Sequence, residues 1–106
     1  MENLPKSAAI KYAYGLHWVR QKNLAKAVAL FEAAMLLSSD NAQYAYTYVL
    51  SLDGSGQTRR ALQTLKGLII NYRDKSTLSE LGLYLSQKVK SKTDYDWFIK
   101  LSSGDS

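Results

Sequence analysis

The side chains able to do chemistry are few, and their spacing does not combine them. His17 is the only histidine. As a general base it needs an orienting partner, and as a zinc ligand it needs companions of the right type; its neighbours are Leu16 and Trp18. It reads as a histidine at the edge of a helix contact. The absence of cysteine removes disulfides, thiolate metal sites and a cysteine nucleophile. The closest useful carboxylates, Asp94 and Asp96, fall at the expected start of a helix, where acid complements the helix dipole. Gly54-x-Gly56 lacks the rest of a phosphate loop and follows no strand, so it reads as a turn. The chain is therefore read as a non-enzyme with no catalytic, metal or cofactor site.

What remains is tyrosine. Tyr12 and Tyr46 stand thirty-four residues apart, and so do Tyr14 and Tyr48. A tyrosine offers a large contact area with a polar tip at low entropic cost, which suits either packing or binding.

The elements that must position these rings show the same spacing. Leu16 is answered by Leu50, Trp18 by Leu52, Ala27 by Ala61, Val28 by Leu62, Phe31 by Leu65 and Ala34 by Leu68, with no gap. Self-similarity at this period marks a helical repeat. Ser7 is a suitable cap for a helix over Ala8 to Gln21, and Lys22-Asn23 forms the turn into a helix over Leu24 to Leu37. Ser38 to Asn41 breaks the pattern and supplies capping groups. Helices over Ala42 to Leu52 and Gln57 to Asn71 follow, parted by Asp53-Gly54-Ser55-Gly56. The third unit is degenerate: Leu78, Leu81, Gly82 and Leu85 repeat the first-helix pattern one residue early. After a polar linker over Lys88 to Lys92, Asp94 to Leu101 makes a short last helix with Thr93 as its cap. Asp94 falls near the place of the small alanine, which puts close packing of this last pair in doubt.

Tyr14-Gly15-Leu16-His17-Trp18 resembles the L-G-x2-Y stretch of a tetratricopeptide repeat, and Ala27 with Phe31 matches its A-x3-F. In the second copy Ala61 is kept, Leu65 replaces the aromatic and Val49 stands at the glycine. The resemblance implies an all-α right-handed superhelix of antiparallel helix pairs: six helices in about three repeats (8–41, 42–74 and 75–101), the last a degenerate cap. Residues 1–7 would form a lead-in and 102–106 a disordered tail. It also implies a scaffold that binds a protein or peptide in a concave groove lined by the first helix of each pair, within a longer bacterial protein. By register Tyr12, Leu16, Val19, Arg20, Gln43, Tyr46, Leu50, Asp53 and Leu83 should line that groove, with Ala9, Ser76, Ser79 and Gln87 beside them. Tyr14 and Tyr48 match the positions that pack between repeats. A carboxylate clamp known in this family needs Lys or Asn where Tyr12, Leu16 and Tyr46 stand, which disfavours that ligand; Arg20 alone could pair an acidic group.

Bulk properties bound these readings. At 106 residues there is one domain, and 46% apolar with 22% charged residues is an ordinary globular balance. No stretch approaches the ~20 apolar residues of a membrane span, and the first residues lack the apolar run of a signal peptide. A cysteine-free chain suits the cytoplasm, or the periplasm if it is part of a longer secreted protein. The net charge of +5 is spread along the sequence, which favours solvated helix faces over a nucleic-acid stripe. Two rivals to peptide binding are self-association into a homodimer, and a nucleic-acid contact through Arg59, Arg60, Lys66 and the Lys88 to Lys92 run.

Overall fold

The computed structural model of the chain describes residues 7–103. They form six α-helices and, among the described residues, no strand. These are α1 (Ala8–Arg20), α2 (Leu24–Leu37), α3 (Ala42–Gly54), α4 (Thr58–Ile69), α5 (Ser76–Lys88) and α6 (Lys92–Ser102). Each helix packs on the next in order, and α3 also packs on α5.

Local chemistry sets the helix starts. The Ser7 hydroxyl accepts from the Ile10 amide of α1 at 3.3 Å, and Asn23 Oδ1 accepts from Lys26 at the start of α2 at 3.2 Å. Asn41 takes both the Gln43 and the Tyr44 amides of α3, at 2.9 and 3.3 Å. Such caps satisfy amides that have no partner within the helix. The last helix is capped by Ser91, which accepts from Asp94 at 3.3 Å, and not by Thr93. It therefore begins at Lys92, inside the stretch expected to be linker. The expected lead-in over 1–7 and tail over 102–106 fall mostly outside the described residues, of which Ser7 caps α1 and Ser102 ends α6.

The turns inside the three pairs share one geometry. Lys22, Gly56 and Lys90 adopt positive φ, at 61°, 90° and 60°. In each turn the positive-φ residue donates its amide three residues back: Lys22 to Val19, Gly56 to Asp53, Lys90 to Gln87. The residue after it donates five back: Asn23 to Trp18, Gln57 to Leu52, Ser91 to Ser86, at 2.8–2.9 Å. This pair of bonds is the Schellman termination, which normally places glycine at the left-handed position. It recurs at thirty-four-residue intervals through all three pairs, including the degenerate third.

Inside the pairs the packing partners are matched in size. A Cβ at Gly15 would lie closer than 3.0 Å to ring atoms of Phe31, and one at Gly82 would meet Phe98 in the same way. The middle pair has Val49 and Leu65 at the corresponding places, both fully buried. A large ring opposite glycine and two mid-sized aliphatics are alternative ways to fill one space at crystal-like density. Ala27, Ala34, Ala45 and Ala61 are wholly buried, as close helix approach requires. Asp94 does not prevent the third pair from closing: its carboxylate turns to Lys66 of α4 at 2.6 Å while Gly82 admits Phe98. That ammonium holds the Asp94 carboxyl below its ordinary range.

The position shared by Tyr14 and Tyr48 behaves differently at its two occurrences. Tyr48 is 4% exposed and donates to Glu32 of α2 at 3.4 Å, whereas Tyr14 is 60% exposed. Tyr48 has a preceding pair to pack on; no described helix precedes α1. Burial, and then the Glu32 carboxylate, push the Tyr48 phenol above its ordinary value.

Candidate functional site

Three residues at equivalent places on α1, α3 and α5, thirty-four apart, remain partly open: Leu16, Leu50 and Tyr84 are 37%, 39% and 47% exposed. Four residues earlier on each helix stand Tyr12, Tyr46 and Glu80. Residues four apart lie on one helical face, so each first helix presents a two-residue step of the same ladder.

The steps are not equivalent. Tyr12 is half-buried in the α1–α2–α3 junction, with its ring centroid 5.5 Å from Phe31 and 4.9 Å from Tyr44. Its hydroxyl shares a 3.2 Å hydrogen bond with Thr47 Oγ1, which also accepts from Gln43 Nε2 at 3.3 Å. Tyr12 is thus largely a wedge between helices. Tyr46 and Leu50, by contrast, line a 290 Å³ cavity with Glu80, Leu81 and Tyr84 of α5.

Beyond this cavity lies a polar lock. Asp53, 6% exposed, accepts from Thr58 at 2.6 Å and from Lys88 Nζ at 2.8 Å through Oδ1, and from the Tyr84 hydroxyl at 3.4 Å through Oδ2. Burial alone would raise its carboxyl, but the bonds from Lys88, Thr58 and Tyr84 together hold it below the ordinary carboxylate range. The same bond raises the Lys88 ammonium above its ordinary value. Asp53 therefore joins α3, α4 and α5 and offers a ligand little free capacity.

Of the other residues expected in a groove, Val19 is 39% exposed, and Arg20, Gln43 and Ala9 are exposed. Leu83 is half-buried and packs against the core, and Ser79 is fully buried with its hydroxyl unpartnered. Ser76 sits at the exposed start of α5, bonded to Asp74, and Gln87 lines a separate 410 Å³ cavity at the α5–α6 turn. Glu80 and Tyr84 line the cavity although neither is among the residues expected there. A strict count of thirty-four from Tyr46 and Leu50 lands on Glu80 and Tyr84.

Of the residues named for a nucleic-acid contact, several are engaged within the fold. Lys66, Lys88 and Lys92 each pair with a carboxylate within 2.8 Å, and Arg60 donates to Gln57 at 2.9 Å. His17 is exposed, its ring edge-on to Trp18 at 5.0 Å. Among the described residues no group of three or more His, Asp or Glu side chains could hold a metal ion, and no helix is long and apolar enough to cross a membrane. Comparison with known proteins gives no match: no family model, curated protein or solved structure is significantly similar to the chain.

Proposed function

We propose that the chain is a non-catalytic interaction module of the tetratricopeptide kind: three helix pairs stacked as a right-handed superhelix, the third pair a cap, holding a peptide segment or a partner domain on the face shared by α1, α3 and α5. The reading draws on the Schellman turns repeated every thirty-four residues, since a repeated pair that cannot bury its apolar face alone must stack on its neighbours. It draws also on shape. The radius of gyration is 14.3 Å with extents of 47 × 27 × 16 Å, against ~13 Å for a compact domain of this length.

The observation that carries the function is the ladder Leu16, Leu50, Tyr84. A large apolar side chain left partly in water at the same place in three successive units gains by burial against something else, about 1.5–3 kcal/mol for each one fully covered. The test is selection of binding peptides from a random displayed library on the folded protein, followed by Leu16→Glu combined with Leu50→Glu. Both side chains are partly exposed, so the helical circular dichroism should persist while affinity falls by about tenfold or more. Undiminished binding by a folded double variant, or a library that yields no binder, would overturn the assignment.

A further inference from the structure

We propose that the cavity between α3 and α5 is a seat for one cationic side chain, best an arginine flanked by apolar residues, carried by the bound segment. The proposal rests on the groove reading above and adds the chemistry of its occupant.

The two facing strips are Tyr46, Leu50 and Asp53 on α3, and Glu80, Tyr84 and Lys88 on α5. At one end the strips close on themselves, with Lys88 Nζ 2.8 Å from Asp53 Oδ1. At the other end Glu80 lines the cavity with Tyr46, and no cation among the described residues pairs with it. It is the only charged residue of the lining. Glu80 also breaks the ladder, standing where the count from Tyr12 and Tyr46 would put a third tyrosine. A carboxylate in an otherwise aromatic and aliphatic wall changes what the cavity selects.

The remaining lining suits a long cationic side chain. Leu50 and Leu81 can cover a methylene stem, which long basic residues bury along apolar surface while keeping the charge near water. Lys88 Nζ already lies 5.7 Å from the Tyr84 ring centroid, so the ring of Tyr46 is the one left to favour a guest cation over its face. A planar guanidinium can stack on such a ring and pair a carboxylate through two donors at once, which makes arginine a better guest than lysine. At 290 Å³ the cavity is below the usual range for a drug-sized ligand, so it fits one side chain of a longer segment.

The test is a nitrogen-15 amide titration of the whole chain with an acetylated, amidated Gly-Leu-Arg-Leu-Gly peptide and with its norleucine counterpart. The arginine peptide should shift the amides of Tyr46, Leu50, Glu80 and Tyr84 saturably, and the norleucine peptide should bind roughly three- to tenfold more weakly. Glu80→Gln, exposed and isosteric, should keep the spectrum of the folded chain and erase that preference. Equal binding of both peptides in the groove would refute the cationic seat and leave the groove standing. So would a preference that survives Glu80→Gln. If neither peptide moves any amide on α1, α3 or α5, the groove reading falls with it.

Discussion

Transplanting the middle pair's packing into the third pair tests whether the units share one interior. Gly82→Val alone places a Cβ closer than 3.0 Å to Phe98 ring atoms in a fully buried site. Overpacking of this kind costs about 1–3 kcal/mol, offset by only a few tenths because valine is the better helix former. Phe98→Leu alone leaves a partial void, costing about 1 kcal/mol as a smaller version of a Phe-to-Ala truncation. Independent effects would put the double variant about 3 kcal/mol below wild type. Val49 and Leu65, at the corresponding places of the middle pair, are both buried in the core, so valine and leucine are the natural pair to transplant. The double variant should therefore lie within about 1 kcal/mol of wild type, a favourable coupling near 2 kcal/mol. Urea unfolding of the four proteins, followed by far-ultraviolet circular dichroism, reads the cycle directly. Additivity to within ~0.5 kcal/mol would refute the reasoning, since it would mean that the two pairs are not interchangeable solutions of one packing problem.

The left-handed turns make a second prediction: Lys22→Gly and Lys90→Gly should each stabilise by about 0.5–1 kcal/mol, and Gly56→Ala should destabilise by a similar amount, because only glycine takes positive φ without a Cβ penalty. Thermal melts check the signs, and a loss of stability in either lysine variant would show the side chain matters more than the backbone. Tyr12→Ala should lower stability by about 2–3 kcal/mol, since the ring packs on Phe31 and Tyr44, while Tyr46→Ala should lose less stability and more binding; the reverse ranking in denaturant would move Tyr46 into the core. Asp53 has a folded value depressed below its unfolded one, so its contribution is present above about pH 4 and is lost as pH falls through the folded value. Between about pH 5 and pH 3, wild-type stability should accordingly fall more steeply than that of Asp53→Asn, a comparison made by denaturant titration at each pH, and equal slopes would remove Asp53 from the acid response.

Much of the helix plan is legible because the periodic apolar positions and the breakers agree. Leu24 to Leu37 carries both its cap, Asn23, and its core face, Ala27, Phe31 and Ala34, in the sequence itself. The ends are less legible where capping competes. Ser91 and Thr93 are equally able to accept an amide, and the choice between them is made by the backbone bond from Ser91 to Ser86, which closes the Schellman turn and fixes where α6 can start. Sequence alone cannot weigh that bond, because it depends on Lys90 accepting a left-handed conformation that lysine does not advertise.

The same turn explains why the α5 side of the cavity escapes a reading by register. Gly82 lies thirty-three residues after Val49, while Lys90 lies thirty-four after Gly56. Helix α5 therefore runs one residue further from its glycine to its turn than α3 runs from Val49 to its own. One residue is about 100° around a helix, so counting from the glycine sends Ser79 and Leu83 toward the face of Tyr46 and Leu50. Ser79 is instead fully buried and Leu83 packs on the core, and the residues presented to Tyr46 and Leu50 are those counted from the turn, Glu80 and Tyr84. Two kinds of residue keep two registers in this pair: those that touch α6 follow the glycine, and those that touch α3 follow the turn. An inserted alanine between Lys88 and Lys90 would lengthen the turn segment again, so it should disturb the Lys90–Gln87 and Ser91–Ser86 bonds while leaving Lys88, which precedes it on α5, paired with Asp53. Amide exchange should then quicken at Ser91 and not at Leu85; uniform quickening across α5 would show that the two registers are not separable.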